Sequence, residues 1–152
     1  MDRLDQKILD CLQEDAGLSV AEVAERVGLS STPCWRRIRN LEDAGIIRSR
    51  VALLDREKLG LGTIVFVAIK TREHNEGWLS RFAETVGQFP EIVELYRMSG
   101  EIDYLMKVVV ADIPAYDAFY KRLIAAVDLS DVSSSFAMEE IKFTTALPLD
   151  AS

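Results

Sequence analysis

The residues best suited to chemistry lie in one short stretch, SSTPCWRRIRN, which runs from Ser30 to Asn40. Three arginines stand within four positions there, and hydroxyl side chains precede them. Guanidinium groups bind phosphate and can pair bidentately with guanine, while hydroxyls and amides bond to phosphates or base edges. The stretch therefore predicts a nucleic-acid contact surface. Its candidate residues are Ser30, Ser31, Thr32, Pro33, Arg36, Arg37, Arg39 and Asn40.

The same stretch predicts a helix, because its apolar and polar side chains separate at helical spacing. At about 100° per residue, Cys34, Ile38 and Leu41 share one face, and most of the arginines lie opposite. Trp35 stands at the border of the apolar face, so we expect it to pack in the core, and the alternative is a sugar–phosphate contact. Hydroxyls and Pro33 suit the first turn of this helix, and Gly45 suits its end.

Two shorter helical patterns precede this helix. The first covers residues 3–14, and the second follows Ser19, which stands in capping-box register with Glu22. A link of about three residues, Gly28-Leu29-Ser30, joins the second helix to the third, which is the spacing of a helix-turn-helix. The second helix of that motif enters the major groove, so the predicted partner is double-stranded DNA.

The residues after Gly45 extend the candidate surface. Residues 46–54 are β-favourable with polar residues interleaved, which predicts a connecting strand or wing that carries two more candidate DNA contacts, Arg48 and Arg50. The chain has a net charge of −7, yet residues 32–50 hold five arginines against two acidic residues. A small basic face on an acidic body is suited to a protein that binds as several copies.

The remaining chain alternates between strand and helix patterns in the order β-α-β-β-α-β. This order predicts an α+β fold in which a ferredoxin-like sandwich follows a winged helix-turn-helix. We place the domains at residues 1–60 and 61–152, and the last strand at residues 132–145. A short turn containing Gly100 and Asp103 is predicted between the second and third strands of the sandwich.

Signals for an enzyme, a metal or a membrane are weak. The single histidine, His74, lies in a polar loop, and no P-loop, dinucleotide or G-x-S-x-G motif occurs. Cys11 and Cys34 fall on apolar helix faces, where thiols behave as small hydrophobes. No apolar run approaches the length of a membrane span, and no signal-peptide pattern opens the chain. We expect a cytoplasmic protein without cofactor, metal or catalytic site.

Five segments together resemble the Lrp/AsnC family of bacterial and archaeal regulators. They are LDQKILDCLQED, SVAEVAERVGLS, TPCWRRIRNLEDAGII, SGEIDYLMKVVV and SSSFAMEEIKFTTALPL. The resemblance implies a winged helix-turn-helix and a ferredoxin-like domain that binds amino acids and forms dimers. It further implies homodimers that assemble into tetramers, octamers or discs.

The family's effector signature, G-x-x-D-Y, is matched by Gly100, Asp103 and Tyr104. The glycine would let backbone N–H groups approach a carboxylate, and the aspartate would attract an ammonium group. The resemblance implies a site between dimers, completed by residues of the last strand. The alternative is a tight β-turn with the tyrosine in the core. The implied effector residues are Met98, Ser99, Gly100, Asp103, Tyr104, Ser133, Ser134, Ser135 and Phe136.

The sequence thus predicts a sequence-specific DNA-binding transcriptional regulator, modulated by an amino acid bound between dimers. Two alternatives stay open from the residues alone. The three N-terminal helices could be a packing unit with a solvated basic face. The whole chain could also be an oligomeric small-molecule sensor that acts through a protein partner rather than DNA. Salt-dependent DNA affinity separates these alternatives from the regulator.

Overall fold

The computed structural model describes residues 1–149, which divide into two compact units. The first comprises Met1–Leu53 with the segment that begins at Ile141, and the second is Leu54–Glu140. The C-terminal segment therefore joins the first unit, whereas the sequence had placed it in a domain at 61–152. Its anchor is a reciprocal amide pairing in which Gln13 Nε2 donates to the Leu147 carbonyl at 2.9 Å and accepts from the Leu147 N–H at 2.8 Å.

Three helices form the first unit, as the sequence predicted: α1 (Arg3–Glu14), α2 (Val20–Val27) and α3 (Ser31–Asp43). Both α1 and α2 begin with a full capping box, built on Asp2 and Ser19. These caps satisfy N–H groups that the first turn leaves without partners. One apolar stripe from each helix meets in a shared core. Its members are Ile8, Leu9, Leu12, Val23, Ala24, Val27, Cys34, Ile38 and Leu41.

The strand predicted at residues 46–54 is not found. Residues 48–54 have no regular structure, so Arg48 and Arg50 lie on an irregular segment. Val51 and Leu54 are more than 70% exposed there. The physical reason is that a strand forms only against a neighbouring strand. No strand lies within the described residues of this unit to pair with it.

The second unit confirms the predicted β-α-β-β-α-β order. Its elements are β1 (Thr63–Lys70), α4 (Glu76–Val86), β2 (Ile92–Arg97), β3 (Tyr104–Val110), α5 (Ile113–Ala126) and β4 (Asp131–Phe136). All pairings are antiparallel in the order β2-β3-β1-β4, which is the ferredoxin-like arrangement. The last strand ends at Phe136 rather than at residue 145, and Met138 beyond it is 95% exposed.

The sheet packs one of its faces against the two helices. Alternate residues of β1 and β3 pack with α4 and α5 in a core centred on Phe82, Phe119 and Leu123. The opposite face, which we call the open face, carries Phe66, Glu94, Tyr96 and Lys107. Phe66 is 40% exposed and Tyr96 is 54% exposed. No element of the described part of this unit covers these side chains.

Candidate functional site

The outer face of α3 presents the predicted DNA contacts to solvent. Ser31, Thr32, Arg36, Arg39 and Asn40 are exposed, because the buried stripe of Cys34, Ile38 and Leu41 turns the other side of the helix inward. Ser30 is the N-cap residue but makes no side-chain cap hydrogen bond, so capping does not occupy its hydroxyl. Within residues 1–149, Arg36 forms no hydrogen bond or ion pair, which leaves its guanidinium group unpaired.

Arg37 differs from its neighbour because its guanidinium group is bound within the chain. Nη1 lies 2.8 Å from Asp2 Oδ2 and 2.9 Å from Asp5 Oδ1, so the side chain ties α3 to the start of α1. Hydrogen bonds from the Asp5 N–H and then from Arg37 lower the pKa of Asp2. The same carboxylates raise the pKa of Arg37. The sequence did not predict this link, because Asp2 and Asp5 lie more than 30 residues before Arg37.

The other candidate arginines fall into two groups. Arg39 and Arg50 both reach Glu42, at 3.5 Å and 3.1 Å, and Arg50 also donates to the Ala16 carbonyl at 3.3 Å. These ion pairs are exposed and therefore weak, so Arg39 and Arg50 can leave Glu42 and bind a DNA phosphate instead. Arg48 is exposed, with no ion pair inside the described chain.

Trp35 is not a core residue, and this prediction was wrong. Its side chain is 53% exposed on the outer face of α3, one turn from Arg39. A residue at the border of an apolar stripe can turn either way, and here Cys34 and Ile38 fill the space between the helices. The periodicity could not decide between these two positions.

The predicted effector signature forms the turn between β2 and β3. Gly100 has φ +103°, a left-handed conformation that favours glycine, as a tight turn requires. The Met98 N–H donates to the Asp103 carbonyl at 2.8 Å, and the Asp103 N–H donates to the Ile69 carbonyl at 2.9 Å. Asp103 Oδ2 accepts from the Thr71 N–H at 2.8 Å. The carboxylate thus secures the turn against the end of β1 and stays only partly buried.

Tyr104 lies in the core, as the alternative interpretation of the signature expected. It is 7% exposed, and its ring lies 4.8 Å from Phe82 and 5.8 Å from Trp78. Thr71, which the sequence did not single out, is the buried backbone donor that fixes Asp103. The pairing of Thr71 with Asp103, 32 residues away, has no local signal in the sequence.

The serines of β4 alternate between the two faces of the sheet. The Ser134 hydroxyl bonds to the Tyr116 hydroxyl, and the Phe136 ring meets Tyr116 edge-on at 5.3 Å, so both point toward the helices. Ser133 and Ser135 occupy the opposite face. Strand β1 lies between β3 and β4, which separates them by about 10 Å. One chain therefore does not bring these serines together with the Gly100 turn.

The described residues contain neither a cluster suited to a metal ion nor a helix suited to a membrane. No group of three or more histidine, cysteine, aspartate or glutamate side chains within residues 1–149 is placed to hold a metal ion. None of the helices in the same range is long and apolar enough to cross a membrane.

Comparison with known proteins assigns both units. Residues 1–48 match the winged helix-turn-helix DNA-binding family, and residues 64–147 match the Lrp/AsnC ligand binding domain. The chain is 54% identical over 151 residues to the DNA-binding transcriptional activator DecR of Escherichia coli, covering 99% of each. The chain belongs to the Lrp/AsnC family. Lrp/AsnC proteins are DNA-binding transcriptional regulators and not enzymes, and this chain is such a regulator.

Two solved structures of transcriptional regulators are similar to this chain over nearly its whole length. A crystal structure of an AsnC family transcriptional regulator from Agrobacterium tumefaciens superposes with a TM-score of 0.97 at 63% identity, covering 99% of this chain and 98% of that one. A transcriptional regulator of Neisseria meningitidis in complex with L-Met has a TM-score of 0.94 at 40% identity, covering 99% and 97%.

Proposed function

We propose that this Lrp/AsnC regulator binds the DNA major groove with α3 and that an amino acid modulates this binding. The observation that carries the DNA contact is the unpaired, exposed Arg36 beside Arg39 on a helix whose opposite face is buried. Ser31, Thr32 and Asn40 share that exposed surface. Arg37 supports the surface indirectly, since its pairing with Asp2 and Asp5 holds α3 against α1.

The proposed effector contact is the Gly100–Asp103 turn. Its exposed glycine leaves room for a ligand carboxylate near backbone N–H groups, because a Cβ at Gly100 would meet no atom within 4 Å. Asp103 has a second carboxylate oxygen available to an ammonium group while the first holds Thr71. The L-Met complex of the Neisseria meningitidis regulator supports an amino acid as the ligand class.

We propose further that the protein acts as a homodimer that assembles into tetramers or octamers. The open face of the sheet leaves Phe66 and Tyr96 exposed, and aromatic side chains on such a face can be buried when a second sheet stacks on it. The unpaired segment at residues 48–54 offers a strand to a second copy. An amino acid bound between dimers would then contact the Gly100 turn of one chain and Ser133, Ser135 or neighbouring residues of another.

Binding of the purified protein to duplexes selected from random DNA tests this proposal. Titrations would be run with and without each of the twenty amino acids. We expect sequence-dependent binding whose affinity changes by about five- to 150-fold with one amino acid or a small group. A protein that binds amino acids but no duplex would contradict the proposal and support a sensor that acts through a protein partner.

A further inference from the structure

Trp35 is an exposed large aromatic side chain in the middle of the proposed DNA surface. It is 53% exposed, whereas the other tryptophan, Trp78, is 7% exposed and stacks on Phe82 at 4.8 Å. Among residues 1–149, the Trp35 indole makes no hydrogen bond and no aromatic contact. Tryptophan on a surface is concentrated at interfaces, where one ring can supply much of the binding energy. The position therefore suits a contact with a partner outside the chain.

The partner follows from the residues around the indole. Ser31, Trp35 and Arg39 succeed one another at four-residue spacing, so they form one row along α3. Thr32, Arg36 and Asn40 form the adjacent row. The indole therefore neighbours two arginines, Arg36 and Arg39, together with residues that carry hydroxyl and amide groups. These polar neighbours match phosphates and base edges, which leaves the indole to meet an apolar part of the same ligand.

We propose that Trp35 is a specificity-determining residue that packs its indole against the C5 methyl group of thymine. This proposal rests on the DNA contact of α3 proposed above. The thymine methyl is the apolar group that base pairs display in the major groove. Trp35 stands in the second turn of α3, and the early turns of such a helix approach base edges. The longer side chains of the neighbouring Arg36 and Arg39 would reach the phosphates that flank the groove.

Removing the methyl groups from the DNA tests the contact directly. A duplex selected by the wild-type protein is prepared once with thymine and once with uracil, which lacks the C5 methyl. We expect the wild-type protein to bind the uracil duplex about three- to tenfold more weakly than the thymine duplex, because each Trp35 side chain would lose its contact with one methyl group. Trp35→Ala should bind the thymine duplex about tenfold more weakly than wild type and should bind both duplexes equally.

Two matched variants separate this contact from other effects. Arg36→Ala should lose affinity for both duplexes and keep the uracil penalty of the wild type, because it removes a charge and leaves the indole. Trp78→Phe leaves Trp35 as the only tryptophan, so its fluorescence should change on binding of the thymine duplex. Because Trp35 is exposed, the thermal unfolding midpoint of Trp35→Ala should match that of wild type. A matching midpoint would show that the variant keeps the fold.

Three results would overturn the proposal while leaving DNA binding in place. The first is wild-type protein that binds thymine and uracil duplexes equally, which would assign any loss in Trp35→Ala to a sugar–phosphate contact. The second is a Trp35→Ala variant that still binds the uracil duplex more weakly than the thymine duplex, to the same extent as wild type. That result would assign the effect of the methyl groups to DNA shape. The third is wild-type affinity in Trp35→Ala. Failure of the wild-type protein to bind any duplex would instead refute the DNA contact of α3 itself.

Discussion

At the scale of single residues, two adjacent arginines have different surroundings and therefore different roles. Arg36 is unpaired on the outer face of α3, whereas Arg37 is bound by Asp2 and Asp5. The carboxylates lie 35 and 32 residues before Arg37 in the chain. Helical periodicity could place both arginines on α3, but it could not show which of them had an acidic partner.

The ion pair of Asp2 predicts a pH-dependent stability. Its pKa is lowered in the folded protein, so the ionised carboxylate stabilises the fold above the ordinary aspartate pKa of about 3.9. That contribution is lost as the pH falls through the lowered folded-state value. Asp2→Asn keeps a cap acceptor and removes the charge. We expect a lower thermal midpoint than wild type at neutral pH, with the difference vanishing in acid.

Thermal unfolding of both proteins from neutral pH down to about pH 2 measures this difference. Arg36→Ala is the matched control, because Arg36 has no partner in the described chain and should unfold like wild type. A pH-independent gap between Asp2→Asn and wild type would show that the pairing with Arg37 does not stabilise the fold.

Asp103 predicts a separation between fold and effector binding. Asp103→Asn keeps an oxygen that can accept from the Thr71 N–H, but it removes the charge that would attract an ammonium group. We expect it to lose amino-acid binding with a stability change below about 1 kcal/mol.

Asp103→Ala leaves the Thr71 N–H without its acceptor, at a cost of about 1–3 kcal/mol. Calorimetric titration and thermal unfolding measure the two effects, and undiminished amino-acid binding by Asp103→Asn would exclude the carboxylate from the site.

At the scale of elements, local signals were predictable and long-range partners were not. The three helices of the first unit and the capping box of α2 were found because hydroxyls, acids and apolar spacing act within four residues, whereas Ser30 does not cap α3 as its hydroxyl had suggested. The predicted strands at residues 46–54 and beyond Phe136 were wrong for the single chain, although the residues favour β structure. A strand also needs a neighbour, which the sequence of the strand does not supply. Likewise, the turn at Gly100 was predicted and a core position for Tyr104 was one of the two alternatives, but its partner Phe82 had no signal in the sequence.

The C-terminal segment shows how a side chain can fix an element that has no regular structure. Gln13 exchanges two hydrogen bonds with the backbone of Leu147, and this pairing holds the segment on α1. Gln13→Ala should release it, so we expect the Leu147 N–H to exchange with solvent about tenfold faster. Native-state hydrogen exchange measures this rate. Gln6→Ala, on the same helix, is the control, and unchanged protection in Gln13→Ala would show that other contacts hold the segment.

At the scale of the whole molecule, the open face of the sheet predicts self-association. Phe66→Glu would bury a charge between stacked sheets, so we expect a smaller species than wild type in sedimentation equilibrium. Ile124→Glu is the matched control, because Ile124 is similarly exposed, at 46%, but lies on α5 rather than on the open face. An assembly unchanged by Phe66→Glu and dissolved by Ile124→Glu would place the interface on the helices instead.

The chain carries a net negative charge, so it can bind DNA only where its few basic groups contact the phosphates. The net charge of −7 repels DNA at long range, so affinity depends on local contacts from α3 and its flanks. Several α3 helices in one assembly would multiply this small surface. Effector binding between dimers would then change DNA affinity by favouring one assembly over another.

The most direct test of the central claim is the salt dependence of DNA binding by wild type and Arg36→Ala. Affinity for a selected duplex would be measured between about 50 and 200 mM salt. The proposal predicts a steep loss of wild-type affinity with salt, and a logarithmic slope that is shallower by about 1 for each bound copy of Arg36→Ala. Equal slopes and affinities for the two proteins would contradict the placement of α3 at the DNA.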